Sequence, residues 1–101
     1  MPLSLIGLAH GESGRDIAHN VTKGNCLACH IMPTDASAIT SANIGPPLLN
    51  MRERFPDRDR LRKQIFDPTL YNANTVMPPY GRNNVLSTSE IELLIDYLYS
   101  L

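Results

Sequence analysis

Tryptophan is absent from this chain of 101 residues, and cysteine (two), phenylalanine (two) and histidine (three) are scarce. Two cysteines close at most one internal disulfide, which excludes the dense cross-linking of small secreted scaffolds. No apolar run approaches the ~18 residues that cross a bilayer, so membrane insertion is not expected. Residues 5–9, the apolar stretch near the start, are shorter than the core of an export signal. The chain also lacks internal repeats, low-complexity tracts and any sustained β alternation. Charge of one sign is missing too: nine basic and ten acidic residues give a net −1, which excludes the broad electrostatic footprint of a nucleic-acid or anionic-lipid binder. The exception is local, because residues 52–63 hold five arginines and one lysine against three acids. Such a stretch is more often a solvated helix face with Asp–Arg pairs than a docking surface.

At this length one domain spanning 1–101 is expected, with 1–12 an irregular N-terminal segment. Ser13 stands as an N-cap before Ile17 and Val21, one turn apart, which predicts a helix over 14–22 closed by Gly24. Asn25 is placed to cap a second turn carrying Cys26-Leu27-Ala28-Cys29-His30, and Pro33 stops further helix. Residues 34–50 are small and polar, with Gly45-Pro46-Pro47 near the end, and read as a long loop. Asp57 and the Leu61/Ile65 spacing predict a helix over about 58–66, ended by Asp67-Pro68. Residues 71–86 hold too many Asn, Pro and Gly for regular structure. Ser87 and Glu90 have the capping-box spacing, and Ile91, Leu94, Ile95 and Leu98 follow the i, i+3, i+4, i+7 rule of an amphipathic helix. The class is therefore all-α, with three or four short helices and two long loops that need a central ligand to order them.

Cys26, Cys29 and His30 spell C-x-x-C-H, the attachment signature of c-type haem. One turn brings both thiols to one side to add to the two vinyl groups, and the adjacent imidazole binds iron. A thioredoxin-type redox pair needs a βαβ context that is missing here. A zinc site needs four ligands at other spacings. One covalent haem c is thus the expected cofactor. The opposite axial ligand has four methionine candidates. Met1 is terminal, Met32 is too near His30 to reach round the ring, and Met51 suits core packing. Met77, in Val76-Met77-Pro78-Pro79, lies in a breaker-rich loop able to hold a fixed backbone over a flat ring. Met77 is the expected ligand; the rivals are Met51 and a histidine, His10 or His19. A carbonyl of Gly45-Pro46-Pro47, assigned to Pro46, is placed to accept Nδ1–H of His30 and fix its tautomer. Arg82 and the Tyr80 hydroxyl are candidate partners of a haem propionate, against the alternative of plain surface exposure. Tyr97 has two readings, packing on the haem or filling core against the first helix.

Gly24-Asn25-Cys26-Leu27-Ala28-Cys29-His30, Ile44-Gly45-Pro46-Pro47-Leu48, Phe66-Asp67-Pro68 and Val76-Met77-Pro78-Pro79-Tyr80 together resemble the SoxX-type cytochrome c family. This is the small monohaem subunit of the complex that begins bacterial thiosulfate oxidation. The resemblance runs from about Gly24 to the last helix. It implies a class I cytochrome c fold, with His30 and Met77 as axial ligands and Cys26 and Cys29 as thioether anchors. It also implies a heterodimer with a larger SoxA-type cytochrome, in a complex resembling L-cysteine S-thiosulfotransferase. There thiosulfate is oxidatively joined to a cysteine of a carrier protein, and this chain passes the electrons to a downstream cytochrome. The segment between Met77 and Ser87 is shorter than is common in that family. Haem attachment implies a periplasmic location, reached through an export signal that the Met1-Pro2 start does not show, which leaves Met1 either native or engineered. The rival functional reading is a free-standing mobile cytochrome of a respiratory chain.

Overall fold

The computed structural model describes residues 12–101, so the expectations for residues 1–11, His10 and Met1 among them, lie outside the described residues. Helix α1, Gly14–His19, begins at a complete capping box: Ser13 Oγ accepts from Asp16 N–H, and the Asp16 carboxylate accepts from Ser13 N–H, each at 3.1 Å. The helix ends at His19 rather than at 22. Asn20 leaves the helical region at φ −74°, ψ 118°, and its Oδ1 accepts from Thr22 N–H (2.9 Å) and Thr22 Oγ–H (2.7 Å). This side-chain turn outcompetes helical continuation, and Val21 ends 74% exposed instead of above the buried Ile17. Gly24 closes the turn by donating to Ile17 O at 3.0 Å. A Cβ at that glycine would stand 2.8 Å from the same oxygen, so closeness, not backbone sign, requires glycine there.

Asn25 precedes a 3-10 turn, Cys26–Ala28, from the left-handed region (φ 49°) and makes no side-chain capping bond, in contrast to the expected cap. Helix α2, Met51–Arg54, was not foreseen; it is a single turn entered from Asn50, also left-handed (φ 54°) and without a side-chain cap. Helix α3, Arg58–Phe66, has the expected bounds, with Asp57 as N-cap and Leu61 and Ile65 buried. Asp67 then accepts from Thr69 N–H and starts a further 3-10 turn, Pro68–Leu70. Helix α4, Thr88–Tyr99, carries the Ser87/Glu90 capping box and buries Ile91, Leu94, Ile95 and Leu98. No described helix is long and apolar enough to cross a membrane.

Helix α1 crosses α4 at Gly14, where a Cβ would lie 2.0 Å from Leu93 O and 2.7 Å from Tyr97 Cβ. Tyr97 serves this crossing and not the interior cleft: it stacks edge-on against His19 and donates to Asp35 at 2.6 Å. Helix α3 meets α4 through charge as well as core. Arg62 Nη2 and Arg58 Nε reach Glu92 Oε1 at 3.0 and 3.1 Å, and Arg58 also pairs with Asp96 at 2.9 Å. The basic stretch is thus largely a paired helix face.

The hydrogen bond from Arg62, joined by that from Arg58, holds the Glu92 carboxyl down to about 2 from its ordinary 4.5. A folded-state pKa below the unfolded one stabilises the fold above the unfolded value, and that contribution is lost as pH falls through the folded value. Glu92→Gln is therefore expected to lower thermal stability at neutral pH and to flatten its fall between pH 4.5 and 2. The side chain is 41% exposed, so the effect shrinks in high salt, which melts followed by circular dichroism at two ionic strengths will read.

Candidate functional site

A cleft of about 270 Å³ runs into the molecule between the Cys26-to-His30 turn, the Gly45-Pro46 loop, helices α3 and α4, and the Met77 loop. Its walls are predominantly apolar. Cys26, Cys29, His30, Pro46, Met77 and Tyr80 all line it.

Cys26 opens the 3-10 turn and Cys29 caps its end, donating its N–H to Cys26 O at 3.1 Å. Both thiols are unbridged. Burial pushes the Cys26 thiol up to about 11, so it stays neutral at physiological pH. A disulfide exchanger needs the reverse, a thiol with its pKa lowered by positive surroundings. Among the described residues there is no strand to supply a thioredoxin-type context. Nor do three His, Cys, Asp or Glu side chains converge there as a set for a bare metal ion.

His30 is fixed from behind. Its Nδ1 lies 2.7 Å from Pro46 O, which makes Nδ1 the protonated nitrogen and leaves the Nε2 lone pair available. Gly45 presses on the ring: a Cβ there would fall 2.2 Å from His30 Cε1. Two backbone bonds zip the proline loop to the turn, Gly45 N–H to Cys29 O (2.7 Å) and Leu48 N–H to Ile31 O (2.8 Å). Arg54 donates to Pro47 O at 2.7 Å and to the Met51 sulfur at 3.4 Å, so Met51 belongs to the same wall as the histidine support. Met51 is also 2% exposed and part of the core.

Met77 comes from the other long loop. Its N–H bonds Thr75 Oγ at 3.1 Å, and its sulfur accepts from Gln64 Nε2 at 3.6 Å. The loop is pinned at one end where Gly81 and Arg82 N–H share Phe66 O (3.1 and 3.0 Å). The adjacent Tyr80 ties the same end to the cysteine turn, its hydroxyl donating to Gly24 O. Burial pushes that hydroxyl up to about 12. Arg82 is not brought to the cleft. Its guanidinium is taken by Asp67 (3.0 Å) and Thr69 Oγ (3.2 Å), the partners that a 7%-exposed carboxylate demands. His19 and Met32 also lie outside the lining, beside Tyr97. Sequence reasoning missed Gln64, whose only signal was its place three residues after Leu61 and one before Ile65, on the same helix face.

No protein-family model matches the chain. Over 77 residues it is 31% identical to an uncharacterized lipoprotein of Aquifex aeolicus (strain VF5); the match covers 76% of this chain but only 36% of that protein. Among solved structures, the crystal structure of SoxXA from P. pantotrophus superposes with a TM-score of 0.76 at 21% identity, over 92% of this chain and 85% of that one. The likeness shows the fold: an all-α, helix-and-loop architecture of the class I cytochrome c type, with no β-sheet among the described residues.

Proposed function

We propose that this chain is a monohaem c-type cytochrome that transfers electrons, with Cys26 and Cys29 as thioether anchors and His30 and Met77 as the axial pair. The observation that carries the reading is the position of His30: it enters one apolar cleft from the C-x-x-C-H turn, oriented by the Pro46 carbonyl, while Met77 enters the same cleft from an independent loop. The residues fit the group in other respects. Burial keeps the Cys26 thiol neutral, and Gly45 packs closely against the His30 imidazole. Haem, when bound, supplies a one-electron ferric/ferrous couple whose potential a thioether ligand raises.

The chain's own residues would set the terms of that couple. The Pro46 carbonyl holds the proton on Nδ1 and so strengthens the Nε2 donor. Leu48, Leu61, Ile65 and Leu94 exclude water, and Tyr80 ties the methionine loop to the cysteine turn. With His30 and Met77 both holding the iron, the described residues would offer it no position for a substrate. Catalysis would therefore reside in a partner, a larger SoxA-type cytochrome in the periplasm acting on a carrier-protein cysteine with thiosulfate. Electrons would leave through a downstream cytochrome. Arg82, engaged by Asp67, would brace the methionine loop and not a propionate.

Visible spectroscopy of protein made with the c-type maturation machinery tests the site. The oxidised wild type is expected to show the long-wavelength sulfur-to-iron band. Met77→Ala is expected to lose it entirely and to have a lower reduction potential; an unchanged spectrum would move the ligand to Met51. Co-purification with the larger cytochrome at micromolar concentration tests the subunit reading. A chain that stays alone would instead be a free-standing carrier.

A further inference from the structure

Gln64 is the one polar side chain of α3 on the cleft wall, and it touches the Met77 sulfur. An amide has two ends of nearly equal shape, so what matters is which end faces the thioether. Arg60 decides this. Its guanidinium has donors only, and its Nη1 meets Gln64 Oε1 at 3.2 Å, which leaves the amide NH2 to point at Met77. Arg60 is itself fixed, with its Cζ 3.3 Å from the centroid of the Tyr71 ring and 5.5 Å from that of Phe55. Tyr71, Arg60, Gln64 and Met77 thus form one ordered line from the surface to the cleft.

We propose that Gln64, oriented by Arg60, is a positioning residue for Met77: its N–H holds one sulfur lone pair and so fixes the thioether where its other lone pair would bind iron. This rests on the reading of Met77 as the distal ligand. A thioether held in this way is harder to displace, because leaving the iron would also break the bond to Gln64, and a firmly held thioether favours the reduced state.

The test uses holo-protein and imidazole as a competitor for the ferric iron. Gln64→Leu removes the N–H, and Gln64→Glu keeps the shape and the Arg60 pair but has no proton to give. Both are expected to bind imidazole about 3- to 10-fold more tightly than wild type, the factor that corresponds to one net hydrogen bond. Both are also expected to have a lower reduction potential while keeping the sulfur-to-iron band. Arg60→Met should reproduce the imidazole shift alone but add little to it in the Gln64→Leu background, a coupling that a charge effect of Arg60 by itself does not produce. Unchanged imidazole affinity in both Gln64 variants, or equal effects of Arg60→Met in the two backgrounds, would overturn the proposal. If Met77→Ala also leaves the wild-type spectrum and imidazole affinity unchanged, the ligand assignment itself has failed. If Met77→Ala alone abolishes the band, only the role of Gln64 has.

Discussion

Alanine at both Cys26 and Cys29 is expected to give a colourless chain that does not unfold cooperatively, even when made alongside the maturation machinery. The cleft and the core are largely the same residues: Leu48, Met51, Leu61, Ile65, Leu94 and Leu98 belong to the buried cluster and also line the cavity. Without an occupant these side chains face water or must collapse onto one another, pulling α3 and α4 away from the two long loops. A porphyrin covering several hundred Å² of apolar surface contributes on the order of 10 kcal/mol at ~25 cal/mol/Å². That is as large as the roughly 5–15 kcal/mol of net stability that a whole domain has. Each single alanine variant keeps one thioether and the His30 support, so both singles are expected to be coloured but less stable. Intact mass under denaturing conditions reports the attachment, and thermal melts by circular dichroism report the fold. A wild-type chain without the added haem mass would sink the proposed function, and a double variant that melts as sharply as wild type would show that the core stands by itself.

The parts of this molecule legible in its sequence are those fixed by local chemistry. Helix α3 could be bounded closely, and the start of α4 placed, because Asp57 and the Ser87/Glu90 box mark their starts and a 3.6-residue apolar period marks their buried faces. The contact of His30 Nδ1 with the Pro46 carbonyl was legible for a similar reason, since a proline turn leaves a carbonyl without a neighbouring N–H to bond. The failures arose where a short-range alternative defeated a pattern. Asn20 bonds Thr22 twice and stops α1, although Ile17 and Val21 have helical spacing. Helix α2 has four residues and no side-chain cap, too little to leave any period. From sequence Arg82 has two readings, a partner for an anionic ligand or plain surface exposure, and neither points to Asp67. Only the fold reveals that Asp67 is buried within reach and takes that charge first. Gln64 was silent for a further reason: a polar residue on an apolar face signals nothing until its neighbours in space are known.

Gly14→Ala is expected to be the most damaging conservative change away from the cleft. Intrinsic propensity argues the other way, since alanine is favoured over glycine in a helix by up to ~1 kcal/mol, and less at a first-turn position. Packing decides the sign. The new Cβ would stand 2.0 Å from Leu93 O and 2.7 Å from both Leu93 C and Tyr97 Cβ, and backbone on one side cannot swing away as a side chain does. Helices α1 and α4 must therefore separate. That loosens the burial of Ile17 and Ala18 and strains the Tyr97 bond to Asp35. Overpacking of this kind costs roughly 1–3 kcal/mol, and in a domain of this size each 1 kcal/mol shifts Tm by about 4–8 °C. Denaturant melts of the holo-protein should show the loss. The displacement should also reach the cleft, because α4 carries Leu94 and Leu98 on its wall, and Gly14→Ala is expected to make Met77 easier to displace by imidazole although it touches neither ligand. A variant as stable as wild type would mean that the two helices cross farther apart than this geometry requires. A variant that is destabilised while imidazole affinity stays fixed would mean instead that the crossing and the cleft are mechanically separate.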